Sequence, residues 1–292
     1  MKIKGLKFAF LTAFVSGVSI FINGLLVTGF NPIAFSLFRN LLVGIILTIA
    51  VISTGRLSKI NKLSKSDKFK LIGIGVIGGG VPFGLFFFGL SRIGGVNANL
   101  INKSLFLWVA MFAIIKLKEK LNWLSIIGYG MIFFSLFGGV NLSDDQVGLA
   151  AVLGATIFWA YEHVLAKKIL KKANPIDISW ARIVGGLPIL GIFYLLSLGG
   201  DISSFTSMFY PAMISAIFLI TYMFFWYTAI KFAPVTIVSS VLVLAPIITI
   251  LLNASLLGKS MSAIRPGVFV LLISGVILIS IKYLKLKPKK VT

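Results

Sequence analysis

A chain of 292 residues that is 58% hydrophobic and only 12% charged, with a mean hydropathy of +1.05, is no water-soluble globule. Its net charge of +21 does not point to nucleic acid, because the 28 Lys and Arg sit in short clusters between long apolar runs and not along one groove-sized face. With no Cys and a single His, the chain offers no disulfide, thiol nucleophile or Cys-ligated zinc, calls for no cofactor, and supplies poorly the nucleophile and base of a membrane-embedded enzyme, the alternative from another class.

Apolar runs of about 20 residues, each long enough to cross the hydrocarbon core, recur along the whole chain. The first, 7–28, follows MKIKGLKFAF, which opens like a signal peptide but reaches Val27 with no small-x-small cleavage site, so it is expected to stay. The second, 32–53, opens NPIAFSLFR with Pro32 at its first turn and Arg39 inside the span. A basic loop, Gly55 to Lys70, leads to the third span, 71–90. There GIGVIG matches a dinucleotide fingerprint by letter, but no strand precedes it; close helix packing is the plainer reading, with Gly78, Gly79, Gly80 and Pro82 allowing a bend.

The fourth span, 96–116, places Asn99, Asn102, Lys103 and Phe106 on one helical face. Two amides and an ammonium suit a cavity wall that holds a polar, anionic solute, and the competing reading is a snorkelling Lys103 with Asn residues bonded to neighbouring helices. After the fifth span, 122–140, the sixth, 148–167, aligns Trp159, Glu162 and His163. Glu162 is the one acid in the membrane core, either exchanging a proton beside His163 or pairing with Arg182, which lies at similar depth in the seventh span, 176–197. That span opens NPIDISWAR, with Pro175 in the place of Pro32. Arg39 and Arg182 read as structural, bonded to carbonyls or helix ends. The eighth span, 210–230, puts Tyr222, Phe225 and Trp226 on one face as a stacking surface for a solute. The ninth and tenth are 235–256 and 264–284, and Gly258-Lys259-Ser260 between them ends like a P-loop but has Asn253 where the first Gly belongs.

Ten spans with both termini cytoplasmic place 22 Lys and Arg inside and 3 outside. The shared NPI…S…R pattern divides the chain into halves 1–143 and 144–292 of five spans each, one membrane domain in which neither half folds alone. Five is odd, so the second half is inverted, as in many secondary transporters. The expected fold is therefore all-α, ten transmembrane helices in two inverted repeats, in the cell membrane.

The two NP…R segments, SLFRNLL, the acid in IIKLKEKL (Glu119) and LAPIITILLNASLLG resemble the EamA-type permeases of the drug/metabolite transporter superfamily over nearly the whole chain. The resemblance implies an exporter-like carrier whose cavity is lined by helices 1, 3, 4, 6, 8 and 9. The chain departs from that pattern at Gly258-Lys259, where the family has an acid, and at Phe106, where the repeat has Pro246. The expected function is secondary transport, with export as the direction, of a small polar metabolite such as an amino acid or other carboxylate. Proton-coupled efflux of cationic drugs through Glu162 stands as the alternative. The expected partners are the solute, the bilayer and, in that alternative, protons.

Overall fold

The computed structural model describes residues 2–26, 29–137, 145–198, 205–258 and 266–285, and within them the chain is helical with no strand. The helices are α1 (Lys2–Leu26), α2 (Pro32–Ser53), α3 (Arg56–Asn61), α4 (Lys65–Ile74), a π-helical segment (Gly75–Gly80), α5 (Val81–Lys103), α6 (Leu105–Leu117) and α7 (Trp123–Phe137). They continue as α8 (Gln146–Ile169), α9 (Pro175–Leu198), α10 (Phe205–Phe232), α11 (Val235–Leu242), α12 (Ala245–Leu257) and α13 (Pro266–Lys285). Among the described residues seven stretches are long and apolar enough to cross a bilayer, and Trp123–Ser135 and Phe269–Ile281 are shorter apolar helices. Large apolar side chains such as Ile45, Ile49, Phe134, Leu196 and Ile217 point outward, as a lipid-facing surface requires and a water-facing one forbids. This is a multi-pass membrane protein.

The helix starts follow local chemistry. Asn31 Oδ1 accepts the amides of Ile33 and Ala34 at 2.9 and 3.3 Å, and Pro32, at the start of α2, needs no donor partner there. The second copy of the motif is capped differently: Asp177 reaches back to the Asn174 amide at 2.9 Å, leaving Asn174 Oδ1 to accept Lys231 Nζ at 3.0 Å. Asp177 also holds Arg56 at 2.5 and 2.6 Å, tying the short loop helix α3 to α9.

Two expectations need correction. Helical hydrogen bonding does not stop between 90 and 96: α5 continues through to Lys103. The path nevertheless reverses. A Cβ on Gly78 would meet Glu162, and one on Gly148 would meet Ile93, so the chain runs antiparallel to α8 as far as Ile93. Asn102 then bonds Thr156 and Phe112 packs on Tyr161, so it runs parallel to α8 afterwards. The second correction is that the fourth and ninth spans are each broken midway. Ser104 takes a tight turn between α5 and α6, its amide on the Ile101 carbonyl at 2.9 Å, and Val243 and Leu244 do the same between α11 and α12 at 3.3 and 3.1 Å. Pro246, which has no amide hydrogen, accounts for the second break. The first occurs at the equivalent point without a proline, with the Ser104 hydroxyl accepting Trp108 Nε1 at 3.2 Å.

Packing exchanges helices between the halves. α1 lies along α10 and then α11 and α12, α8 lies along α4 and α5 and then α6, and the pairs α2–α9 and α7–α13 join matching positions. Glycine permits the tightest of these crossings. Gly79 has no room for a Cβ against the Arg182 carbonyl, and a Cβ on Gly75 would lie 2.7 Å from the Cα of Gly185. The GIGVIG segment is therefore a packing surface, wound as a π-helix where it crosses α9.

Candidate functional site

Two polar centres lie inside the bundle. The first is a closed hub built on α8, α9, α10 and the π-segment. Glu162 is fully buried, and its carboxylate is occupied from three sides: Arg182 Nη1 at 3.4 Å, Tyr227 Oη donating at 2.9 Å, and His163 Nδ1 at 2.7 Å. Arg182 also donates to the Gly78 carbonyl at 3.2 Å and to Tyr227 Oη at 3.2 Å. The Gly78 carbonyl takes a second donor, Trp159 Nε1, at 2.9 Å. A buried ion pair survives only when its remaining lone pairs and protons find partners, and this one has them. His163 Nδ1 is contested. Trp226 Nε1 approaches it at 3.2 Å, and one nitrogen cannot both accept that indole and donate to Glu162.

The second centre is a narrow cleft of about 20 Å³ where the breaks of the fourth and ninth spans meet, lined by Asn102, Lys103, Leu105, Phe106, Ser239, Leu242 and Val243. Lys103 is the last residue of α5, where an ammonium complements the helix dipole, and among the described residues it has no acidic partner. Asn102 donates to Thr156 Oγ1 at 3.4 Å, and Phe106, buried, stacks on Tyr129 with ring centroids 5.5 Å apart. The arrangement places a cation, an amide and a hydroxyl in an otherwise apolar pocket.

Matches with known proteins follow the same two-part division. The EamA-like transporter family matches residues 3–140 and again residues 146–281. The chain belongs to that family. An "Uncharacterized transporter" from Archaeoglobus fulgidus is 23% identical over 239 residues, covering 80% of this chain and 82% of that protein. A solved structure described only as "Crystal structure of protein" has a TM-score of 0.73 at 14% identity, covering 96% of this chain and 98% of that one, a likeness of fold alone.

In this EamA-like bundle the candidate residues separate. Asn102, Lys103 and Phe106 line the cleft; the side chain of Asn99 lies outside the described residues. Trp159, Glu162, His163 and Trp226 instead gather in the hub, with Tyr222 stacked on Trp226 at 6.3 Å and nearly parallel. Phe225 packs on Phe8. Arg39 donates to the Asn40 Oδ1 side-chain carbonyl and to Ser36 Oγ on its own helix and lies over the Phe83 ring at 5.8 Å. Ser239, Leu242 and Val243 line the cleft, and Tyr227 completes the hub. Their sequence signal is slight, since Ser239 stands at the repeat position of Asn99 while Tyr227 is one Tyr among seven.

Proposed function

We propose that the chain is a secondary carrier that moves a small polar metabolite bearing a carboxylate across the cell membrane by alternating access, with export as its direction. The observation that carries this reading is the Lys103 ammonium, unpaired with any acid among the described residues, in a cleft at the meeting point of two interrupted helices. Interrupted helices at the repeat interface are where secondary transporters place their solutes, because half-helix ends supply polar groups that a continuous helix uses internally. Ten passes in two inverted halves are supported by the path reversal along α8 and by the exchanged packing. The 22 to 3 charge bias favours cytoplasmic termini.

The reading assigns Glu162 to the bundle's architecture, since Arg182, Tyr227 and His163 already occupy its carboxylate. The test is thermal stabilisation of the purified protein by a panel of monocarboxylates, amino acids and amines of matched size. Carboxylate-bearing members should raise the midpoint and lose that effect in Lys103→Ala. Stabilisation by the amines alone would refute the anionic substrate class and return the cationic alternative.

A further inference from the structure

Between Phe232 at the end of α10 and Val235 at the start of α11 the chain turns through Ala233 and Pro234. A corner of this kind leaves carbonyls of one helix and amides of the next without partners. Two charged side chains from other helices meet them. Lys167 Nζ, from the end of α8, bonds the Ile230 carbonyl and reaches the Ala233 carbonyl at 2.8 Å. Glu119, just past the end of α6, accepts the Val235 amide at 3.0 Å, the Thr236 amide at 3.2 Å and the Thr236 hydroxyl at 2.7 Å. Each charge opposes the dipole of the helix end it touches.

This clamp is connected to the cleft. The Thr236 carbonyl also accepts Tyr129 Oη at 2.9 Å and Ser239 Oγ at 3.1 Å. Ser239 lines the cleft, and the Tyr129 ring stacks on Phe106, which lines it too. One chain of contacts thus runs from the solute cleft through Phe106, Tyr129 and Thr236 to Glu119.

Among the described residues the repeat does not reproduce the clamp at the opposite corner. Lys118 and Gly258 are matching left-handed helix ends, φ 56° and 61°, with amides returned to Ala113 and Asn253. That register puts Lys259, outside the described residues, opposite Glu119 in sequence. The spacing from Arg39 to Arg182 likewise puts Gly24 opposite Lys167. The other corner, at Arg92 and Ile93, has instead an Arg92–Asp145 pair at 2.9 Å in which both side chains are solvent-accessible.

We infer that Glu119 and Lys167 are positioning residues that latch the inner end of the bundle shut, and that the occupant of the cleft reaches this latch through Phe106 and Tyr129. The inference rests on the alternating-access reading. It assigns the chain a resting state closed to the inside, because among the described residues the clamp at the inner corner has no counterpart at the outer one.

The chain has no Cys, so a Ser239→Cys thiol can be followed alone with a membrane-impermeant maleimide in vesicles of both orientations. Labelling from the inner side should be slow in the otherwise unchanged chain. Glu119→Ala and Lys167→Ala should each raise it about tenfold, the loss expected when hydrogen bonds to a charged group are removed. Glu119→Gln, which keeps an acceptor for Thr236, should have a smaller effect and serves if the alanine variants fail to fold. Tyr129→Phe should raise the inner rate as well, whereas Asp145→Ala, at the other corner, should leave it unchanged. An inner rate unmoved by Glu119→Gln, Glu119→Ala and Lys167→Ala in monodisperse protein overturns the latch; one unmoved by Tyr129→Phe alone overturns its link to the cleft. No solute is needed for labelling, so a failure of the carrier reading in the stabilisation panel stays distinguishable from a failure here.

Discussion

Gly5 and Gly148, separated by the same spacing as Arg39 and Arg182, do the same work at opposite corners of the bundle. A Cβ on Gly5 would lie 2.7 Å from that of Ala233, and one on Gly148 would lie 2.6 Å from Ile93 Cγ2. Each glycine seats the first helix of one repeat against the helix corner of the other. Gly5→Val and Gly148→Val should therefore destabilise to a similar degree, by about 1–3 kcal/mol for overpacking of a tight contact. Thermal unfolding in detergent measures this, and a Gly148→Val midpoint equal to that of the parent would contradict the proposed seating.

Lys103→Ala should strongly reduce transport while the protein remains folded, because the side chain ends in a cleft and bonds no acid among the described residues. Lys103→Arg should also be impaired, since a planar guanidinium does not replace a compact ammonium in a pocket this small. Transport at the parental rate in Lys103→Ala would mean that the ammonium serves only the end of α5.

Glu162→Gln should leave the Arg182 guanidinium buried without its counter-charge and cost about 3–5 kcal/mol, as breaking a buried pair typically does. Counterflow exchange should fall together with stability. Adding Arg182→Gln should recover part of the loss, and the double-mutant cycle gives the coupling directly. If Glu162→Gln stays stable and exchanges solute but loses only proton-driven uptake, the carboxylate belongs to energy coupling instead.

The charge bias makes a topological prediction. Single cysteines at Ser64 and Gln146 should label from opposite sides, Gln146 from outside intact cells and Ser64 only after permeabilisation. Strong labelling of Ser64 in intact cells would invert the assignment.

The corner at Arg92 and Asp145 should respond to pH and salt as an exposed pair does. The Arg92 hydrogen bond, with help from the Gly148 amide, holds the Asp145 carboxyl below its ordinary range. A depressed carboxylate stabilises above its unfolded pKa and loses that contribution as pH falls through the folded value. The difference in midpoint between parent and Asp145→Asn should thus be small at neutral pH, vanish on acidification through the depressed range, and shrink with added salt. A difference that grows in acid would contradict the pairing.

Much of this bundle could be read from residues that act locally or at matching depth. Asn31-Pro32 announced a helix start, and Glu162 and Arg182 lay at one depth on adjacent spans and are indeed paired. Helical spacing puts Asn99, Asn102, Lys103 and Phe106 on one face; the helix breaks at Ser104 within that stripe, and Asn102, Lys103 and Phe106 line the cleft. What stayed hidden depends on contacts between distant segments. The break at Ser104 has no proline to mark it, and nothing near Glu119 in sequence indicates that its carboxylate caps a helix more than a hundred residues away. The triple glycine suggested a bend but not the π-turn, which leaves the Gly78 carbonyl to Arg182 and Trp159.

The exchanged packing also has a consequence for how the protein is made. α1 is made well before the helices it packs on, α10 to α12. Until they are made, the Gly5 and Gly17 surfaces of α1 lack the Ala233, Ala245 and Ile248 they pack on. Two separate polypeptides cut between α7 and α8 and expressed in one cell should each be degraded alone and protect each other when both are present.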